Sequence, residues 1–312
     1  MSMSAHRHLT IIIGLVLSCT ALAGGNSRLW LRFDRPDGQP PTTLAVVGDS
    51  ALDAGQRTVL QAAESELRQY WTGDPVMLQL HGPHQGGCAD CALLRGTAPD
   101  AFTVEKSGQG TIRILSSSAR GLLYGAFFIL RSQLMGDQCL CATLGSENRI
   151  VQQPADSVRA IALDDDVAAL SRSGRLDLFA RANASVGVNT IVLTAAGKPR
   201  APQLQAMADT LQRYGLRLVA AGDETFQNVS SLPHVSWQGS TSLQRYEWYV
   251  AGRLLWDAQL TAEQLAYEWL AQTYTENPLF VMPLRTLLAD PSADRQELLQ
   301  QLSEADERFS VQ

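Results

Sequence analysis

Three segments, SVRAIALDD (157–165), NTIVLTA (189–195) and LRLVAAG (216–222), decide the fold class of this 312-residue chain. Each is a short aliphatic run of strand length, and the stretches between them, Ser173 to Ala184 and Pro202 to Tyr214, carry helical spacing. A βαβαβ alternation predicts parallel strands joined by right-handed crossovers, as in the opening third of a (β/α)₈ barrel. The pattern then stops. From Asp223 to Ser242 the chain reads DETFQNVSSLPHVSWQGSTS, polar and turn-rich, with no strand long enough to extend the sheet.

Downstream of this break the chain is helical. Trp248, Tyr249, Gly252, Leu255 and Trp256 share one helical face. Thr261 and Gln264 have the spacing of a capping box, and Leu260 with Leu265 that of a hydrophobic staple. Asp290 followed by Pro291 predicts a further helix start, with Pro at the first helical position. The charged C-terminal residues are expected to fray. Upstream, RLWLRFD (28–34) sets Leu29, Leu31 and Phe33 against Trp30 and Arg32, the period of a strand with one buried face. TLAVVGD (43–49), VMLQLHG (76–82), AFTVEK (101–106) and TIRILSS (111–117) read as further strands, the last two joined by the turn 107–110. Helices are predicted over Asp53–Tyr70, with Val59, Leu60, Ala63 and Leu67 inward, and over Ala119–Leu134, with Leu122, Leu123, Ala126, Phe127 and Leu130 inward. Gly121 and Gly125, one turn apart, leave room there for a close neighbour. The expected architecture is therefore α/β: a leader over 1–23, a two-layer α/β domain over 24–155, and over 156–312 an incomplete (β/α) barrel-like remnant followed by C-terminal helices.

A hydrophobic content of 45% suffices for a buried core. The net charge of −6, from 31 acidic and 25 basic residues without long runs, argues against a nucleic-acid or anionic-membrane partner and suits a neutral or sugar-like ligand. Residues 1–23 read as an export signal: Arg7 between His6 and His8, an apolar run Leu9–Leu17, then Ala21-Leu22-Ala23 before Gly24. That run is too short for a membrane span, so the expectation is cleavage after Ala23 and a periplasmic or extracellular protein, with acylation at Cys19 as the alternative. Four cysteines then remain. Cys139 and Cys141, read on a strand, would have Cα atoms roughly 7 Å apart, at the limit for a bridge, so they are expected to pair with Cys88 and Cys91 of the loop HQGGCADC. The alternative for that loop is a metal site of His81, His84, Cys88 and Cys91. No phosphate loop, dinucleotide fingerprint or Ser-His-Asp order is present, and the sequence calls for no cofactor and sets no oligomeric state.

Three blocks in fixed order, SSARGLLYGAFFILRSQL (117–134), LFARANASVGVNTIVLTAA (178–196) and QRYEWYVAGRLLWDAQLTAEQLAYEWLAQTY (244–274), together with LWLRFD and TLAVVGDS, give the chain a family likeness. It resembles the α-glucuronidases of xylan breakdown, glycoside hydrolase family 67. The resemblance implies a glucuronic-acid-bearing xylo-oligosaccharide as ligand and inverting hydrolysis as the family chemistry. That chemistry needs a carboxylic acid and an opposed carboxylate about 6.5–9.5 Å apart, with water between. In the family these groups stand on middle and later barrel strands, between the second and third blocks, and those strands have no counterpart here. No catalytic residue is carried over. At the end of the first barrel-like strand, Arg159 and Asp165 match the family's substrate-contacting motif, whereas its aromatic and histidine are absent. The carboxylates available at the same end of the sheet are Asp164, Asp165 and Asp166 after the first strand, and Asp223 and Glu224 after the third. Such a cluster can split its pKa values into an acid and a base, or it can merely cap helices and solvate loops. Trp237, in the polar stretch, is the candidate to stack on a sugar ring, while Trp256 reads as core.

Overall fold

The structure, a computed structural model, describes residues 29–33, 42–48, 52–81, 94, 97–164, 167–194, 201–220, 229–237 and 240–309. Strands β1 (Leu44–Val47), β2 (Val76–Leu80), β3 (Phe102–Lys106), β4 (Ile112–Ser116) and β5 (Arg149–Gln152) form a sheet in the order β1-β2-β4-β3-β5. β1, β2 and β4 are parallel; β3 is antiparallel to both of its neighbours. The expected turn closes the β3–β4 hairpin, with Ser107 N donating to Thr111 O at 2.9 Å and Gly110 at φ +86°. Helices α1 (Ala54–Tyr70) and α2 (Ala119–Leu134) pack on each other and on this sheet. Asp53 caps α1 through a capping box with Gln56. The two glycines of α2 act as read from the sequence: a Cβ on Gly121 would overlap Ser116, and one on Gly125 would overlap Ile114.

The second sheet comprises β6 (Ala160–Leu163), β7 (Thr190–Leu193), β8 (Arg217–Ala220) and β9 (His234–Val235), all parallel, in the order β8-β7-β6-β9. After α3 (Cys141–Leu144), which precedes β5, the crossovers between these strands hold α4 (Val167–Arg172), α5 (Leu176–Ser185) and α6 (Ala201–Arg213). The α/β class read from the sequence holds, and β9 adds a strand in a stretch read as strandless. It joins β6 on the side away from β7, where the closing strand of a complete (β/α)₈ barrel would lie. Only residues 221–233 separate β8 from β9, far fewer than the roughly 30 that one further βαβ unit needs. Among the described residues the sheet is therefore open, not a closed barrel.

Four helices follow: α7 (Ser242–Trp256), α8 (Ala262–Thr273), α9 (Pro278–Ala289) and α10 (Arg295–Phe309). Capping boxes at Thr241–Gln244 and Thr261–Gln264 start α7 and α8. On α7, Trp248, Tyr249, Gly252 and Trp256 are buried and Leu255 stands at the margin. The Asp290-Pro291 expectation is corrected. Proline occupies the first helical position at Pro278, capped by Asn277, and Asp290 ends that helix. The charged α10 is docked as far as Phe309, because Leu298, Leu302 and Ala305 are buried and Asp306 accepts from Tyr274 Oη at 2.8 Å and from Ser242 Oγ; residues 310–312 lie outside the described residues.

Residues 29–33 do not form the expected strand. Leu29 adopts φ +55°, and Leu29, Trp30, Leu31 and Phe33 are all buried, so the alternation has no solvent side. Trp30 Nε1 donates to Ser185 Oγ at 2.9 Å, and its ring meets Trp248 and Tyr249 edge-on at 5.3 and 5.4 Å. The cysteine expectation is also corrected. Gln138 and Cys139 form a turn, Leu140 sits at φ +56°, and α3 begins at Cys141, so the Cα atoms of Cys139 and Cys141 approach to 5.3 Å and the two are bonded to each other. Residues 1–28, with the expected leader and Cys19, and His84, Cys88 and Cys91 lie outside the described residues.

One buried apolar cluster runs from Leu29 to Ala305 and joins all these elements. Buried ion pairs cross it: Arg181 to Glu66 at 2.5 and 2.7 Å, and Arg159 to Asp100 at 2.7 Å. Between α7 and α8, Glu268 accepts from Tyr249 Oη at 2.8 Å and Arg253 Nε at 2.9 Å. Burial opposes ionisation of this carboxyl, but Arg253 and Arg131 outweigh it and hold its pKa below the ordinary 4.5. A carboxyl so depressed stabilises the fold above its unfolded pKa and loses that contribution as pH falls through the folded value. Two outcomes are expected in denaturant melts. Trp30→Ala should cost about 3–5 kcal/mol. Glu268→Gln, which leaves Arg253 without its counter-ion, should cost about 3–5 kcal/mol at pH 7, with the gap to wild type narrowing as the pH falls below 4.5.

Candidate functional site

Parallel strands deliver the residues that follow them to one edge, and in open α/β sheets that carboxyl edge is where ligands bind. After β6 stands Asp164, after β7 Thr194, and after β9 Ser236 and Trp237. Backbone bonds from Ala162 N to Pro233 O at 2.9 Å and from Asp164 N to Val235 O at 3.0 Å fix the register of β9. Val235 points into the core and is 4% exposed, which turns His234 outward. There His234 Nδ1 meets Asp164 Oδ1 at 2.9 Å and Oδ2 at 3.1 Å. In the neutral imidazole this contact assigns the proton to Nδ1 and leaves Nε2 as an acceptor. The two side chains are 41% and 43% exposed, so the pair contributes little to stability and is open to a ligand.

Three residues on, Trp237 is half-buried. Its ring sits edge-on to Trp248 at 6.4 Å, and the Arg175 guanidinium lies 5.8 Å from its centroid. Trp248 is itself anchored, its Nε1 donating to Asn183 Oδ1 at 3.0 Å. The edge therefore holds an oriented indole, a guanidinium and a carboxylate–imidazole pair, drawn from the segments that follow β6, precede α5 and carry β9. Such a pair can exchange a proton or bind sugar hydroxyls. Inverting hydrolysis demands something else, an acid and a base on opposite faces of the sugar with room for water. Asp164 and His234 touch each other and cannot meet that demand between them.

Of the residues singled out in the sequence, Trp237 and Asp164 lie at this edge, while Asp165, Asp166, Asp223 and Glu224 fall outside the described residues. His81 is buried at the end of β2, its N donating to Ser116 O at 2.9 Å. Among the described residues no group of three or more His, Cys, Asp or Glu side chains could hold a metal ion, and no helix is long and apolar enough to cross a membrane. His234 and Arg175 were not foreseen as site residues, because a two-residue strand shows no period and its partner is set only by the register of β9 on β6.

No protein-family model matches the chain, and no curated protein matches it. Among solved structures its neighbours are glycoside hydrolases of low identity. It is similar to a family GH115 4-O-methyl-α-glucuronidase with specificity for decorated arabinogalactans (15% identity, TM-score 0.41, 58% of this chain and 29% of that one). It is also similar to a GH138 enzyme targeting pectin rhamnogalacturonan II (10%, TM-score 0.36, 57% and 24%) and to a GH20 β-N-acetylhexosaminidase from Streptomyces coelicolor A3(2) (15%, TM-score 0.34, 62% and 46%). The chain spans less than half the length of each of these structures.

The site depends on β9, and β9 depends on burying Val235. Val235→Asp should release it, and hydrogen exchange should then show faster loss of protection at the amides of Ala162 and Asp164 than at those of β7.

Proposed function

We propose that this chain is a glycoside-hydrolase-related protein that binds a glucuronic-acid-bearing xylo-oligosaccharide and does not cleave it. The observation that carries this reading is the open four-stranded sheet, whose carboxyl edge offers adjoining rather than opposed proton-transfer groups. Three sequence blocks in the order of the xylan α-glucuronidases support the choice of saccharide. The half-buried indole of Trp237 supplies an apolar platform for a sugar ring, and Asp164, His234 and Arg175 supply donors and acceptors for its polar groups. We propose further that the leader directs the protein to the periplasm or the cell exterior, where such oligosaccharides are met.

Calorimetric titration with aldouronic oligosaccharides, followed by assay for free glucuronic acid, tests the reading. Saturable binding is expected, weakened about tenfold by Trp237→Ala, equivalent to about 1.4 kcal/mol, with no glucuronic acid released. Release of glucuronic acid that is lost in Asp165→Ala or Asp223→Ala would show a working hydrolase and overturn it, as would the absence of binding to any of these sugars.

A further inference from the structure

At the opposite end of β8 from this edge, a groove of about 640 Å³ lies between the first turns of α1 and α2 and the flank of α6. A volume of that order accommodates a ligand the size of one or two sugar rings. Its charge arrangement is unusual for a chain of net charge −6. Asp100, 3% exposed, is shared by two guanidiniums: Arg120 Nε donates to Oδ1 at 2.8 Å and Arg159 Nη2 to Oδ2 at 2.7 Å. Arg120 is further held by Gly215 O at 3.2 Å and remains 34% exposed along the groove. Arg217, at the start of β8, adds a third cation on the exposed rim. The remaining carboxylate of the lining, Asp53, is committed to capping α1, where it accepts from Gln56 N at 2.8 Å. Two guanidiniums, Arg120 and Arg217, thus line the groove with two carboxylates, and Arg159, wholly buried behind Asp100, neutralises that carboxylate from within.

Arg120, held in place by Asp100 and Gly215 O yet still partly exposed, is a preorganised receptor for a carboxylate. The neutral lining fits the rest of a sugar acid. Ser118, Gln56 and Gln212 provide hydroxyl partners, while Val59, Ala208 and Leu218 provide an apolar wall for ring C–H groups. We propose that this groove binds a small sugar acid, its carboxylate taken by Arg120 and Arg217. The site is separate from the carboxyl edge of the second sheet and does not depend on what binds there.

Titration of the full chain with sodium glucuronate tests the proposal, with glucose and inorganic phosphate as comparison ligands. Arg217→Gln removes an exposed side chain without touching the core, and Ala208→Trp fills the groove from α6. One saturable glucuronate site is expected, weakened about tenfold by Arg217→Gln, abolished by Ala208→Trp and unchanged by Trp237→Ala. Glucose and phosphate should each bind at least tenfold more weakly than glucuronate. The proposal is overturned if wild type does not bind glucuronate, if either groove variant binds it as wild type does, or if Trp237→Ala removes it. Equal affinity for glucose or for phosphate would equally refute a sugar-acid site.

Discussion

The guanidinium of Arg159 is wholly removed from water, and the rest of the structure is arranged to make that tolerable. It donates to Gly187 O at 2.5 Å, Asp156 O at 2.7 Å and Asp100 at 2.7 Å, and lies 5.5 Å from the Tyr124 ring centroid and 5.1 Å from that of Trp256. These partners come from the loop before β3, from α2, from the segment between β5 and β6, from the turn after α5 and from the end of α7. A buried cation left without such partners costs several kcal/mol, so the two sheets and the helical region are coupled through one side chain. Asp100 then passes the constraint outward to Arg120 and the groove beside it.

The second constraint is the shortness of the connection from β8 to β9. A complete barrel would surround its carboxyl edge with eight loops and could bring acids in from opposite sides. Here the C-terminal helices take up a different task. Gly252 lets α7 close against Val186 and Val188, and Gly187 at φ +91° makes room for Trp256, so α7 seals the start of β7 rather than extending a ring of strands. The result is a buried core around a four-stranded parallel sheet.

How much of this was legible in the sequence follows from range. The βαβαβ run, the helical spacing over Asp53–Tyr70, the capping box at Thr261 and the paired glycines of α2 are local or periodic signals, and each appears as read. The segment 29–33 misled because it is apolar on both parities for a tertiary reason: it is inserted among α1, α2, α5 and α7. The cysteines misled because the left-handed turn at Leu140 shortens a spacing that an extended chain would lengthen. At the site, an indole in a polar stretch announced Trp237, but the Asp164–His234 contact joins residues 70 apart and exists only through the register of β9.

The burial of Trp30 bears on how the molecule is made. Its ring partners are Trp248 and Tyr249, and the neighbouring Arg32 donates to Ala271 O, 239 residues away. During synthesis an early apolar segment must wait for nearly the whole chain to emerge before it finds its neighbours. Such high contact order slows folding and prolongs the exposure of sticky intermediates. Completion of this core is thus a late event, governed by α7 and α8 rather than by the sheets that precede them.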